Sequence, residues 1–435
     1  MAGSSLMRSR FEEFVSLANE SIAIQLVSNE DQLAEESQKL PKSSPKEFNP
    51  EFSHQLFGDN ESIFGYRDLK VKLYYSSAKL NCFLGINFAE KVTKDETNGI
   101  EADDVLNTIA KKLEINFCQS MDEFRSLLSK ESQFKPYGQL MDSFSIDHKT
   151  DEKVTKRHFE IYSADILVPG FDAYHQRMQT FLWWLIDAAS YIDVDDERWQ
   201  YFILYEKTSA NSSSLTNGHS AADDNSIYCF AGYATVYRYY AYPQRIRPRI
   251  SQFLILPPFQ KCGLGTKLLD TIYGFYIKDS NVYDITVEDP SDNFTRVRDF
   301  VDSKNCKTLD SFSVEKLKLG WSEAMATEAL THLKINKRQA RRVYEILRFR
   351  CTDRSDADQY KCYRLVVKQR LNAPNQKQIL DYKKLEKLKK FPEQELAFIK
   401  QTTIPALEVR LDLLDKQYKE LEEEYQHIVE RLAES

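Results

Sequence analysis

This 435-residue sequence predicts an α+β fold whose strands fill the first two thirds and whose helices fill the rest. Three observations carry that reading. Short apolar runs rich in Tyr, Phe, Ile and Val recur up to "YDITV", with polar and helix-patterned stretches between them. A pair of glycines, Gly263 and Gly265, divides the apolar run "FLIL" from an amphipathic stretch, in a chain with only 13 glycines. Beyond Cys306 the spacing turns helical. Leu407, Leu411, Leu414, Tyr418, Leu421, Tyr425, Ile428 and Leu432 step by alternating four and three, the seam of a coiled coil or of a two-helix hairpin.

Composition narrows the class. Hydrophobic residues make up 42%, with 24 Tyr and 26 Phe, which supports a sizeable core and excludes global disorder. The length predicts roughly three domains. A net charge of -7 argues against direct nucleic-acid binding and suits a cationic partner. The seven cysteines form no CxxC and do not cluster with the histidines, so neither a metal site nor a disulfide framework is expected. A reducing compartment follows, and the expected location is cytoplasm and nucleus. "MAGSSLMRSRFEEF" lacks the apolar region of a secretory leader, and "FLWWLI" falls far short of the ~20 residues of a membrane span.

Residues 1–50 read as an N-terminal segment and linker, polar and proline-marked from 28 to 50. Residues 51–150 make an α/β module, where strand-like "YRDLKVKLYYSS" and "NCFLGINFAEKV" alternate with helix-like "ADDVLNTIAKKL". The core spans 151–305. There "RHFEIYSADI", "WQYFILYEK", "IYCFAGYATVYRYYAY", "ISQFLIL" and "YDITV" are strands, and Tyr174, Met178, Phe181, Leu182 and Leu185 mark a helix. The small-polar insert at 208–226 is a loop. Residues 306–400 form a helical domain, with "SEAMATEALTHL", "KRQARRVYEILRFR" and "ILDYKKLEKLKKF", and 401–435 a coiled-coil-like helix. The basic stretches are nuclear-import signals or solvated helix faces.

Around the glycines, Phe253, Leu254, Ile255 and Leu256 form a run expected of a strand buried on both faces. Pro257 and Pro258 end its pairing, since neither offers an N–H. After Gly265, the residues Leu268, Leu269, Ile272, Phe275 and Tyr276 share a helical stripe. The first N–H groups of a helix lack internal partners and carry partial positive charge, so this unit is a candidate phosphate cradle. The other reading is a glycine turn that only opens a helix. The Walker spacing fails, because no glycine stands five before Gly265, and the Rossmann spacing fails at Leu268. What fits is Q-x-x-G-x-G, from Gln260 to Gly265.

That signature resembles the acetyl-coenzyme A loop of the GNAT acetyltransferases. With "YDITVEDPSDNFTRVRDFV", "QTFLWWLIDAASYIDVDDERWQYFILYEK", "GYATVYRYYAYP" and "INKRQARRVYEILR", the chain is similar to the type B histone acetyltransferase catalytic subunit family over roughly residues 50–435. The resemblance implies a GNAT core using acetyl-CoA without a metal. It also implies the amino-terminal tail of newly made histone H-four, and of H-two-A, as acceptor, and a WD-repeat histone-binding chaperone as partner.

Acetyl transfer needs a neutral amine, and an ordinary lysine has a pKa near ~10.4. A buried or partly buried carboxylate can take its proton. The resemblance places the catalytic glutamate at Glu288, at the end of "YDITV". Asp289 and Asp187 are auxiliary candidates; Asp187 stands where the family favours glutamate, one methylene longer. For Asp289, helix N-capping is the alternative. Cys262 lies inside the loop with no histidine near in sequence, against a covalent intermediate. By resemblance, the backbone of Phe253, Leu254 and Ile255 lines the pantetheine arm. Gln260, Lys261, Cys262, Gly263, Leu264, Gly265 and Thr266 would hold the pyrophosphate, and Ser291 is a further contact. Asn60, Glu61, Ser62, Trp199, Tyr237, Arg238 and Tyr239 would touch the acceptor peptide, next to the acidic run "DVDDE"; strand aromatics are otherwise core. Two alternatives are a GNAT enzyme for another protein or small amine, and a non-catalytic histone-binding scaffold. The extra modules argue against the first, the intact loop and Glu288 against the second.

Overall fold

Sheets do form in the first part of the chain and helices dominate the last, in a computed structural model that describes residues 12–33, 47–97, 99–150, 153–193, 195–209, 226–388 and 390–434. Most of the insert expected at 208–226, and the middle of the linker expected at 28–50, lie outside the described residues. The chain divides into two units, Met1–Tyr239 with Pro248–Ile272, and Tyr240–Arg247 with Tyr273–Ser435.

In the first unit, a four-stranded sheet runs in the order β1 (Ile22–Val27), β2 (Lys70–Ser76), β3 (Cys82–Asn87) and β4 (Phe117–Cys118). β1 pairs parallel with β2, and β2 antiparallel with β3. β1 was not among the expected elements: "IAIQLV" is a six-residue run that the expected N-terminal segment and linker absorbed, yet four of its residues are fully buried apolar groups. The short α1 (His54–Phe57) precedes β2. α2 (Val105–Leu113) buries Val105, Ile109 and Leu113 at helical spacing, with the Asp104 carboxylate capping the Asn107 N–H. α3 (Met121–Leu128) buries Phe124 and Leu128 and is capped by Ser120.

The larger sheet of this unit places β5 (Gln139–Thr150), β6 (Lys153–Ala164), β7 (Trp199–Ser209), β8 (Ser226–Ala241) and β9 (Arg245–Ile255) side by side in that order. The boundary expected at 150/151 falls inside the β5–β6 antiparallel pair, because the hairpin joins both strands to one sheet. α4 (Phe171–Met178), a tight turn and α5 (Leu182–Leu185) bury Tyr174, Met178, Phe181, Leu182 and Leu185. A register shift between β7 and β8 puts Leu204 opposite Gly232 and Tyr205 opposite Phe230, leaving Ala231 as a bulge. The bulged Ala231 carbonyl accepts the Leu256 N–H at 2.9 Å. A Cβ at Gly232 would collide with the Leu254 carbonyl, so only glycine fits there. α6 (Leu264–Ile277) follows β9.

The expected two-faced burial of β9 is corrected. Leu254 and Leu256 are buried, while Phe253 and Ile255 are half-buried, as alternation along a pleated strand requires when one face is less covered. On α6 the buried stripe runs through Leu264, Leu268, Leu269, Ile272, Tyr273 and Tyr276; Phe275 sits at its edge and is exposed.

In the second unit, "YDITV" shortens to β10 (Thr286–Val287). Upstream only single bridges occur, Ile246 with Val282 and Ile285 with Ile335. Val282, Asp284 and Ile285 are all buried, so no simple alternation survives. Helices follow: α7 (Asp292–Cys306), α8 (Val314–Leu319), α9 (Glu323–Leu333), α10 (Lys337–Arg350), α11 (Ala357–Leu371), α12 (Ala373–Lys387), α13 (Glu393–Thr403) and α14 (Leu407–Glu434). The expected boundary at 400/401 lies within α13. The heptad seam is a single helix laid on α7, α10 and α11 of its own unit, not a separate coiled coil. Leu414, Tyr418, Leu421, Tyr425, Ile428 and Leu432 are buried there, while Leu407 and Leu411 are exposed.

Ion pairs cross this helical packing. Asp299 on α7 meets Arg342 on α10 at 2.5 Å, and Arg342 meets Glu424 on α14 at 2.9 Å. Buried Glu345 receives a fork from Arg370 at 2.7 and 2.8 Å and the Tyr425 hydroxyl at 3.1 Å. Asp302 is fully buried with Arg298 3.4 Å away. Burial pushes its carboxyl up to about 6.

Ile428→Ala removes buried contacts of α14 and should cost about 3 kcal/mol in urea unfolding, whereas exposed Leu411→Ala should stay within about 0.5 kcal/mol. Because the folded Asp302 carboxyl binds its proton more tightly than the unfolded chain does, its contribution to stability falls as pH rises from about 4 to about 6. Asp302→Asn should therefore reduce the drop in urea midpoint between pH 4 and pH 7.

Candidate active site

After β9, Pro257–Phe259 form a tight turn with Phe259 buried beneath it. The Gln260 side chain returns to the strand, its Nε2 donating to the Ile255 carbonyl at 2.9 Å. It braces the loop from within. Lys261 and Gly263 both adopt left-handed backbone, with φ of 59° and 78°. The ladder of α6 opens with Lys267 N–H to Gly263 carbonyl at 3.2 Å, so the Leu264 and Gly265 amides precede the first rung. A Cβ at Gly263 would meet nothing within 4 Å, so open space faces the start of the helix. Leu264 is buried and anchors the turn; Gly265 and Thr266 are half-buried. The Cys262 thiol donates to the Gln260 carbonyl at 3.3 Å. Arg157 on β6 supports the turn, its guanidinium 5.2 Å from the Phe259 ring centre and forked to Glu206 at 2.7 and 2.9 Å.

An aromatic row lies at the ends of β7 and β8. Trp199 sits opposite Tyr237, ring centres 4.8 Å apart, and Tyr239 continues the row at 4.5 Å. These rings are half-buried or exposed, not core. The Tyr237 hydroxyl donates to Asp196 at 2.8 Å, and Arg198 forks onto the same carboxylate. That fork, with the Arg198 N–H and the Tyr237 hydroxyl, holds Asp196 well below the usual carboxylate range. The Arg238 guanidinium donates to the Glu197 carbonyl at 2.5 Å and to the Arg198 carbonyl at 3.3 Å.

Glu61 accepts the Ser53 N–H at 2.6 Å, the His54 N–H at 3.0 Å and the Asn19 amide at 2.8 Å. Those bonds, the Ser53 N–H first, lower its pKa. Asn60 beside it is exposed, and Ser62 opens a short strand paired with Leu17. Asp187, exposed at the end of the α5 segment, lies 3.5 Å from His54 Nε2. His54 thus brings two of the expected site residues, Glu61 and Asp187, into one cluster. No sequence signal marks it, because 133 positions separate His54 from Asp187. Gln252 is a second unanticipated residue; its amide donates to the Ser190 carbonyl at 3.1 Å.

In the second unit, Glu288 follows β10 and is exposed, contrary to the buried or partly buried carboxylate expected there. The short β10 ends before it, and Asp289 turns into left-handed backbone at φ 30°. Asp289 is not the helix cap. Ser291 takes that place, its Oγ accepting the Phe294 N–H at 3.3 Å, so the hydroxyl expected to contact the cofactor is engaged at the start of α7. Asp284 is buried and paired with Arg247 at 2.5 Å.

Residues 14–187 match the family model for the histone acetyl transferase HAT1 N-terminus, and 298–349 the model for the histone acetyltransferase type B catalytic subunit, C-terminal. Histone acetyltransferase type B catalytic subunits from Rattus norvegicus and Homo sapiens are 45% and 44% identical to this chain over 387 residues, covering 89% of it and 88% of each relative. One from Dictyostelium discoideum is 31% identical, covering 84% of this chain and 75% of the relative. A crystal structure of an aminoglycoside acetyltransferase from an uncultured soil metagenomic sample aligns over 32% of this chain and 82% of its own, at 15% identity and a TM-score of 0.22. The chain is an acetyltransferase, and acetyl-CoA is the donor that this class uses. It belongs to the family of type B histone acetyltransferase catalytic subunits. The glycine loop suits a pyrophosphate: N–H groups lead the helix, and among the described residues nothing lies within 4 Å of where a Cβ at Gly263 would stand.

Gly263→Ala should lower stability by about 1 kcal/mol through left-handed strain and weaken coenzyme A binding, read by calorimetry. Gly274→Ala, in the same helix without positive φ and with open space around it, should instead stabilise by about 0.5–1 kcal/mol.

Proposed function

We propose that this histone acetyltransferase has a GNAT core and modifies lysine side chains in the amino-terminal tail of newly made histones, chiefly H-four and also H-two-A. The observation that carries the reading is the open, glycine-led start of α6. The acetyl donor would lie with its pyrophosphate against the loop from Gln260 to Thr266 and its pantetheine arm along the β9 backbone from Phe253 to Ile255.

Glu288 is the proposed general base. It would take the proton that the ammonium must lose before the amine attacks the thioester carbonyl; the sulfur that leaves takes up a proton in turn. Asp289 and Asp187 act as auxiliaries that favour a nearby cation. Transfer is direct, within a ternary complex, and Cys262 takes no covalent part. The aromatic row Trp199, Tyr237 and Tyr239 offers faces for lysine and arginine stems, with Asp196 held charged beside it. A WD-repeat histone-binding chaperone is the proposed partner, and cytoplasm and nucleus the proposed locations.

Radiolabelled acetyl transfer to a histone tail peptide tests the assignment. Glu288→Gln should lower kcat about 10²–10⁴-fold. Near-normal turnover of that variant across pH would overturn the base assignment. Wild-type protein that binds coenzyme A but labels no histone peptide would overturn the acceptor.

A further inference from the structure

The loop 187–190 is held by two consecutive residues of α1 and by one of β9. His54 Nε2 lies 3.5 Å from the Asp187 carboxylate, and Gln55 Nε2 donates to the Ala189 carbonyl at 3.0 Å. Gln252 donates to the Ser190 carbonyl, two residues before Leu254 leads to the glycine loop. On its other side, His54 Nδ1 is 3.8 Å from Glu61 Oε1. The imidazole therefore stands between two carboxylates from distant parts of the chain.

The carboxylates differ in how firmly they are held. Glu61 is fixed by two backbone N–H groups and Asn19, and is 29% exposed. Asp187 is 69% exposed, and His54 is its ion-pair partner among the described residues. Two other charged groups lie near α1. Glu51, just before α1, has its carboxyl raised by burial. Lys112 on α2, which packs beside α1, sits 3.7 Å over the Trp183 ring.

We infer that His54 is a proton-linked positioning residue, tying the Asp187 loop to Glu61 and setting how strongly that surface holds a cationic acceptor. The inference rests on the proposed reading of a basic peptide as acceptor. A protonated imidazole pairs with both carboxylates and cancels one of their two charges. A neutral imidazole leaves both charges to the incoming cation. Proton and peptide therefore compete, and each must weaken the other's binding equally. Acceptor affinity therefore rises with pH wherever the free protein holds the imidazole proton and the peptide-bound protein sheds it, and binding in that interval releases protons.

The test uses the full chain with coenzyme A and a peptide containing only Gly, Lys and Arg, its α-amino group capped by a pH-insensitive rhodamine dye, so that the peptide itself does not titrate between about pH 5.5 and 8. Anisotropy should show Kd falling about fivefold from pH 5.5 to 8, the upper end for a partly exposed charge pair. His54→Gln should bind tightly at both pH values, and His54→Arg weakly at both. Asp187→Asn, approaching the same pair from the other side, should show a flatter profile than wild type. A His54→Gln profile that keeps the wild-type slope overturns the inference, as does a pH-independent Kd for a peptide that wild type acetylates. If wild type acetylates no basic peptide at any pH, the acceptor reading falls and this inference falls with it.

Discussion

The close approach of β8 to β9 at Gly232 is the constraint from which the candidate cofactor site follows. With no side chain at 232, the Leu254 carbonyl can lie against the neighbouring strand, and the Ala231 bulge supplies the acceptor for Leu256 N–H. That hydrogen bond closes the sheet just ahead of two prolines, which donate nothing further. The chain must then leave the sheet at one place. Phe259 and Leu264 pin the two ends of the turn in the core, and Gln260 fastens its middle to Ile255. The amides at the start of α6 are thus aimed by apolar anchors on either side.

Charge is used in two different ways along the chain. In the helical unit, the carboxylates of Asp299 and Glu345 are withdrawn from water and paired with the half-buried guanidinium groups of Arg342 and Arg370. Such pairs add little net stability, but breaking one strands a buried charge, so they fix which helix faces meet. At the candidate acceptor surface, Asp196 and Glu61 keep contact with solvent and are held by short, local hydrogen bonds. Those bonds keep each carboxylate ionised and in place, which suits recognition of a cation more than support of a core.

Much of this was legible in the residues. The glycine loop, the strands around it and the buried face of α14 follow from local spacing, which a sequence displays directly. The Q-x-x-G-x-G spacing from Gln260 to Gly265 was legible for the same reason, whereas the candidate role of Phe253, Leu254 and Ile255 came from the resemblance to the family. β1 was missed because a six-residue run with five apolar residues between polar flanks carries little periodic signal, and its burial depends on pairing with β2 far along the chain. The Glu61–His54–Asp187 cluster was half visible: the two acids were singled out, but the histidine between them belongs to a contact that only folding creates. The exposure of Glu288 and the capping role of Ser291 depend on where β10 stops, and strand ends are the least readable feature of a sequence.

The placement of α14 also bears on how the protein is made. Its buried residues, Leu414 through Leu432, complete the packing of α7, α10 and α11, all of which leave the ribosome earlier. The residues of the first unit end at Ile272, so they are all synthesised before α7 to α14. The helical unit has to wait with an open apolar groove until α14 emerges, which makes that interval the one in which a nascent chain has most need of a chaperone.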